Sequence, residues 1–306
     1  MNKYNCIVIL GSTASGKTHL ACQLAYELNG EIISADSRQV YKDLNIGTGK
    51  DLEEYFIHGK QIPYHLIDII NPHEQFYLHQ FASELKKAFE YIVAQHKLPI
   101  ICGGTGLYLD ALKKDFSFTQ IKENDELRKE FANLSKEELI LRLKNYPQQF
   151  TSHVDLDSKK RIIRGIEIAE HFSKNKIALT KAQLPYKPYY IGIKTEIETR
   201  KKQISQRLQK RLNEGLIDEV EGLLKRGITH ERLELFGLEY KFVSRYLRKE
   251  ISKDELFTQL QTAIFQFAKR QMTWFRKMEN EGVEINWMEN NLEVELIKKM
   301  RTVFNL

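Results

Sequence analysis

Gly11-Ser12-Thr13-Ala14-Ser15-Gly16-Lys17-Thr18 is the stretch on which the fold of this 306-residue chain turns. It fits G-x-x-x-x-G-K-[ST], a loop whose backbone N–H groups cradle phosphate oxygens. Its context says more than its letters. Cys6–Leu10 before it reads as a buried strand. Thr18–Leu28 after it reads as a helix, with Leu20, Leu24 and Leu28 at i, i+4, i+8. A glycine-rich loop between a strand and a helix N-terminus favours bound negative charge. Lys17 adds a point charge, and the Thr18 hydroxyl is a ligand for Mg²⁺. The pattern predicts a polyphosphate ligand without saying which one.

Further strands are expected at Glu31–Ala35, His65–Ile70, Leu98–Cys102 and Tyr189–Ile193, with a helix at Glu84–Gln95. Strands alternating with helices imply an α/β fold, a P-loop-type parallel sheet covered on both faces. From Phe118 to Leu184 the pattern changes. Ser135-x-x-Glu138 is a capping box, and Asp157 is expected to cap a helix through Arg161, Arg164 and Ile168. That stretch, 118–184, reads as an all-helical insertion. The core is then 1–117 and 185–306, with a helical C-terminal part broken at Gly215, Gly227 and Gly237. Val283–Leu306 reads as one strand and one helix.

Composition narrows the class. Apolar residues make up 42% and charged residues 29%, which excludes collagen, wholesale disorder and a coiled-coil rod. No apolar run approaches the ~18 residues of a membrane helix or supplies a signal-peptide core. The expected address is the cytoplasm, with no membrane partner. The net charge is +6. Lys194–Lys277 alone holds 19 basic and 12 acidic residues, so the surplus sits in the C-terminal helices. A phosphate-rich partner fits there, as does a plain solvated face. Cys6, Cys22 and Cys102 lie far apart and read as small core hydrophobes. No histidine pattern suggests a metal cage, and nothing resembles a catalytic triad.

Three more constellations carry chemistry. Asp36-Ser37-Arg38-Gln39-Val40-Tyr41 follows the second strand, where loops at the carboxyl edge of a doubly wound sheet line the site. Asp36 there is either a general base or metal ligand, or an Asx turn. Gly103-Gly104-Thr105-Gly106-Leu107-Tyr108-Leu109 places flexible backbone and a hydroxyl at the same edge. Arg200, Arg207 and Arg211 share one helix face beside the stripe Ile204, Leu208 and Leu212. One of these arginines is placed to reach a diphosphate. Lys160, Arg161 and Arg164 form a second basic cluster. The aromatics of Gln271-Met272-Thr273-Trp274-Phe275-Arg276 read as core rather than as stacking platforms.

Taken in order, these motifs resemble the bacterial tRNA dimethylallyltransferases. The resemblance runs from Ile7 to Lys277. It rests on Gly11–Thr18, Ala35–Tyr41, Asn45-Ile46-Gly47-Thr48-Gly49-Lys50, His65–Ile69, Gly103–Leu109, Arg161–Arg164 and Lys269–Arg276. It implies transfer of a dimethylallyl group from its diphosphate to N6 of the adenosine 3′-adjacent to a tRNA anticodon. By resemblance Asp36 is the general base. Arg207, in I-x-x-R, and Thr105 serve the departing diphosphate, and Gly11–Thr18 hold it with Mg²⁺ on Thr18. Asp36, Ser37, Arg38, Gln39, Thr105, Lys160, Arg161, Arg164 and the turn at Gly237 match tRNA contacts. The partners implied are the anticodon stem-loop of tRNA and dimethylallyl diphosphate, and the protein is expected to be a monomer.

The chain departs from the family pattern in places. Ser12 replaces a usual proline, Gly49 stands where alanine is common, and Lys160 stands where many relatives have glutamine. Gly237-Leu238-Glu239-Tyr240-Lys241 replaces G-Y-[KR]-E, which bears on the contact made there. The zinc module of eukaryotic relatives is not in the sequence. Three other functions compete. A small-molecule kinase suits the loop and Asp36 but has no need of the basic helical segment. A prenyltransferase acting on free AMP or ATP shares the core chemistry with less helical mass. A non-catalytic RNA binder would not need Lys17, Thr18 and Asp36 intact.

Overall fold

The computed structural model describes residues 3–114, 116–152, 154–175, 184–289 and 293–306. The chain opens with β1 (Cys6–Gly11), α1 (Lys17–Glu27) and β2 (Gly30–Ser34). A 3₁₀ turn (Leu52–Tyr55) leads to β3 (Phe56–Ile57), β4 (Lys60–Gln61) and β5 (Tyr64–His65). Then come α2 (Leu78–Ala94), β6 (Leu98–Gly103) and α3 (Gly106–Asp110). Four helices follow: α4 (Asp125–Phe131), α5 (Lys136–Leu143), α6 (Gln148–Thr151) and α7 (Lys159–Asn175). β7 (Pro188–Lys194) precedes α8 (Ile197–Asn213), α9 (Leu216–Lys225), α10 (His230–Leu235), α11 (Leu238–Leu247) and α12 (Lys253–Asn280). The chain ends in β8 (Ile285–Glu289) and α13 (Glu293–Phe304).

The main sheet has the order β5-β2-β6-β1-β7-β8, with every pair parallel. Parallel strands need crossovers, and both faces are then covered, so continuous apolar strands are expected. β1 and β6 are buried at every position. Ile7 and Ile9 of β1 share a core with Leu20 and Leu24 of α1 and with Met300 and Phe304 of α13. A second core joins Ile204, Leu208, Val220, Tyr240, Leu256 and Leu260 of the C-terminal helices to Val40, Tyr41 and Leu44. These helices thus pack on the excursion that follows β2.

The chain divides into two compact units, 1–76 with 80–113 and 185–306, and 77–79 with 114–184. The described part of the smaller unit is helical, around Leu127, Phe131, Leu139, Leu143, Ile162 and Ile166. The Ser135–Glu138 capping box is present. Beside that core, Glu167 receives Arg128 Nε at 2.7 Å, Arg164 Nη1 at 2.9 Å and the Asn124 N–H at 3.0 Å. The stretch read as a helical insertion also contains residues 153 and 176–183, which lie outside the described ones.

Two local expectations fail. The strand read at His65–Ile70 stops at His65, because Leu66 (φ 64°) and Asp68 (φ 57°) are left-handed. The chain turns away there. Asp68 N–H donates to Gln39 O, and Ile69 and Ile70 both donate to Val40 O. Asp157 does not cap the helix that follows. That helix begins at Lys159, and Ser158 O accepts from the N–H groups of Arg161 and Ile162. Asp157 instead turns back, its N–H donating to Asp155 Oδ1 at 2.8 Å.

Candidate active site

β1, β2 and β6 are neighbours, so the loops leaving their carboxyl ends must meet. They line a cleft of about 870 Å³. Thr13–Thr18 come from the first loop, Asp36–Gln39 from the second and Gly103–Leu107 from the third. Gly11 and Ser12 are buried beneath it. The far wall is Arg207 and Arg211 of α8, Phe236–Glu239 and, from α12, Ile264, Phe267, Gln271 and Trp274. The last four fall at i, i+3, i+7 and i+10, one face of a helix.

Gln271 joins two of the loops. Its Oε1 accepts from Thr13 N–H at 2.8 Å, and its Nε2 donates to Gly104 O at 3.0 Å. Gln39 accepts from Ser34 Oγ at 2.9 Å and donates to Gly49 O at 2.9 Å, tying the end of β2 to the loop at 45–51. Asp36 Oδ1 accepts from Arg38 N–H at 2.8 Å, an Asx turn that orients the carboxylate while it lines the cleft. The Asx turn read at Asp36 is present, and the carboxylate it orients lines the cleft. The Thr105 hydroxyl, at the start of α3, accepts from Ser37 N–H at 3.2 Å.

The charges are set by burial. Lys17 is pulled below its usual range by desolvation and by Arg207, against Cys102, Asp36 and Glu54. Glu54 is pushed up by burial and by Asp51. Glu239 is pushed up by burial, which its pairing with Arg211 only partly offsets. Arg207 Nη2 bonds Asp51 Oδ2 at 2.6 Å. Ser15 Oγ, Gln203 Oε1, Arg211 Nε and Nη2, and Trp274 Nε1 are buried with no hydrogen-bond partner among the described residues. All of these residues line the cleft. Buried polar atoms without partners are uncommon, and these gather around one cleft.

The residues read from sequence separate. Lys17, Thr18, Asp36–Gln39, Thr105, Arg207 and Gly237 meet at the cleft. Arg200 does not line it. Lys160, Arg161 and Arg164 belong to the smaller unit. Lys160 and Arg161 are exposed, and Arg161 pairs with Asp155. Arg164 is held by Glu167 and by the carbonyls of Thr119 and Ile121. Gln271, Trp274, Asp51, Glu54 and Glu239 also line the cleft and carry no site reading from the sequence, whereas Arg211 belongs to the arginine face from which one side chain is expected to reach a diphosphate. For Gln271 and Trp274 the available signal was the Lys269–Arg276 run, whose Phe275 is core as expected and whose Trp274 is a cleft wall.

Two of the four departures from the family pattern, at Gly237–Lys241 and at Gly49, have physical partners. Tyr240 is fully buried and its ring packs on Gly47, where a Cβ would fall 2.5 Å from Cζ. Its hydroxyl donates at 2.7 Å to Glu219, which also accepts the N–H groups of Asn45, Ile46 and Gly47. Gly49 has φ +62°, and a Cβ on it would overlap Arg211 Nη2 at 1.6 Å. This chain fits alanine poorly there because a guanidinium fills the space.

A phosphate-loop motif at the carboxyl edge of a parallel sheet, with an oriented carboxylate in the same cleft, is the arrangement of a P-loop protein. Residues 39–278 match the family model described as IPP transferase, and residues 4–65 match that described as isopentenyl transferase. The chain is 45% identical over 306 residues to tRNA dimethylallyltransferase 2 of Phocaeicola vulgatus, covering 100% of this chain and 98% of that one. It is also similar to the crystal structure of tRNA isopentenylpyrophosphate transferase from Bacillus halodurans. That match has TM-score 0.71 and 29% identity, covering 99% of this chain and 97% of the other. The Staphylococcus epidermidis tRNA delta(2)-isopentenylpyrophosphate transferase superposes with TM-score 0.68 at 30% identity, covering 98% of each chain. The chain belongs to the tRNA dimethylallyltransferase family.

Proposed function

We propose that this protein transfers a dimethylallyl group from dimethylallyl diphosphate to N6 of the adenosine 3′-adjacent to the anticodon of tRNA. The observation that carries this reading is the single cleft in which Lys17, Arg207, Asp36 and Thr105 converge. An exocyclic amine is a weak nucleophile because its lone pair is delocalised into the ring. As N6 bonds to C1 of the donor, the C1–O bond breaks and diphosphate leaves. Asp36 takes the N6 proton, which relieves the charge on nitrogen. Lys17, Arg207 and the loop N–H groups receive the charge that develops on the leaving oxygens.

The hydroxyl of Thr18 and the carboxylates of Asp36, Asp51 and Glu54 line the same cleft, and hard oxygen donors of this kind suit Mg²⁺. Thr18 is the residue that would hold the ion, which neutralises charge on the diphosphate when bound. The acceptor base must leave its stack to enter such a cleft. Ser37, Arg38, Gln39 and Gly237 line it, and exposed Lys160 and Arg161 are cations for tRNA phosphates. Among the described residues no helix is long and apolar enough to cross a membrane.

The test is incubation with radiolabelled dimethylallyl diphosphate, Mg²⁺ and either unmodified tRNA or AMP. Label at the adenosine after the anticodon supports the reading. Label in AMP alone assigns the protein to the free-nucleotide class, and no transfer to either rejects prenyl transfer.

A further inference from the structure

The resemblance implies one arginine on α8, and the structure holds two. Arg211 follows Arg207 by one turn and is only 8% exposed. Asp51 Oδ2 lies between them, 2.6 Å from Arg207 Nη2 and 3.7 Å from Arg211 Nη2. The second distance is too long for a hydrogen bond. Arg211 meets its other carboxylate, Glu239, at 3.4 Å through Nη1. That leaves Nε and Nη2 buried without a partner among the described residues. Arg211 also lines the cleft. Both Nη2 atoms crowd the point where a Gly49 Cβ would sit, 1.6 Å for Arg211 and 2.3 Å for Arg207. The glycine therefore permits two guanidinium groups side by side.

Such an arrangement is costly for the protein alone. Two like charges share a poorly solvated space, and burial and Arg207 both pull Arg211 below its ordinary range. Glu239, its nearest carboxylate, is itself biased toward the neutral form by burial. Asp51 is shared between the two guanidinium groups, and Glu239 reaches Arg211 through Nη1 alone. An anion with several oxygens and more than one charge would satisfy the unmet donors and the unmet charge together, as guanidinium forks do with phosphates.

Resting on the proposed function, we infer that Arg211 is a second binding arginine for the donor. Its Nε–H and Nη2–H hold oxygens of the diphosphate beside Arg207, and the diphosphate takes the position between the two guanidinium groups where Asp51 Oδ2 lies. The alternative is that Arg211 exists only to neutralise Glu239 within the fold.

The experiment is calorimetric titration of the full-length protein with inorganic pyrophosphate and Mg²⁺, alongside tRNA binding. Arg211→Lys keeps a cation for Glu239 and loses the fork. The double variant Arg211→Met with Glu239→Gln removes the pair without leaving a buried carboxylate alone. Both are expected to weaken pyrophosphate binding by about tenfold or more, the scale of one lost charge-assisted contact. Their tRNA affinity stays close to wild type, and Glu239→Gln alone, which keeps both guanidinium groups and removes an anion beside them, does not weaken pyrophosphate binding. Pyrophosphate affinity within about twofold of wild type in both variants would overturn the inference. So would loss of the folded state in both, which assigns Arg211 to structure. Wild-type protein that binds pyrophosphate through Arg211 yet prenylates no tRNA rejects the function and leaves this seat intact.

Discussion

Replacing Gln271 tests whether the cleft is held by the link between its loops. The side chain is 7% exposed and makes two bonds, accepting from Thr13 N–H and donating to Gly104 O. In Gln271→Ala both backbone groups lose their partner. Water in the cleft can reach Thr13, whereas the bond to Gly104 O is fully buried. A hydrogen bond is worth about 1 kcal/mol net, and an orphaned buried group costs about 1–3 kcal/mol. The expected loss of stability is therefore about 2–4 kcal/mol. Gln271→Glu separates structure from electrostatics. It keeps an acceptor for Thr13 and sets a negative charge beside the phosphate loop. At roughly 6 Å from a phosphate and an effective dielectric of about 20, the repulsion is about 3 kcal/mol, or about a hundredfold in affinity. Urea denaturation reads the first effect and pyrophosphate titration the second. Wild-type stability in the alanine variant together with wild-type pyrophosphate affinity in the glutamate variant would refute the reasoning.

Asp36→Asn preserves the acceptor of the Asx turn and removes the base. Single-turnover transfer should slow by about 10²–10⁴-fold with tRNA affinity retained, and near-normal turnover would exclude Asp36 as the proton acceptor. Burial pushes Glu167 up, but Arg128, Arg164 and the Asn124 N–H outweigh it and hold the carboxylate below its ordinary 4.5. A depressed carboxylate stabilises the fold above its unfolded pKa, and that stability is lost as pH falls through the folded value. Glu167→Gln should cost on the order of 2–4 kcal/mol at pH 7, with the gap to wild type closing as the pH falls below 4.5 in urea titrations. Arg161→Ala should lower the salt dependence of tRNA binding by about one phosphate contact, and an unchanged slope would make Arg161 a partner of Asp155 alone.

What could be read from the chain itself was local and periodic. The loop Gly11–Thr18, the apolar runs around it and the capping box at Ser135–Glu138 each act within one or two turns of chain, so their chemistry is written in adjacent residues. Ordered motifs added the family and the identities of Lys17, Asp36, Thr105 and Arg207. The strand read at His65–Ile70 went wrong because two non-glycine residues take left-handed conformations, which apolar periodicity does not record. The asparagine-to-lysine run at 45–50 gave no hint of its anchor, since Glu219 reaches it from 172 or more residues away.

The far wall of the cleft is likewise a product of tertiary structure. Gln271 meets Thr13 across 258 residues, and Arg211 meets Asp51 and Glu239 only because α8 and α11 pack beside the loop at 45–51. Helical periodicity says which residues share a face, but not what that face will touch. Burial then decides the rest. The same arginine on a solvated helix would be one more surface charge, whereas enclosed beside a second guanidinium and a glycine it keeps buried donors without a partner among the described residues.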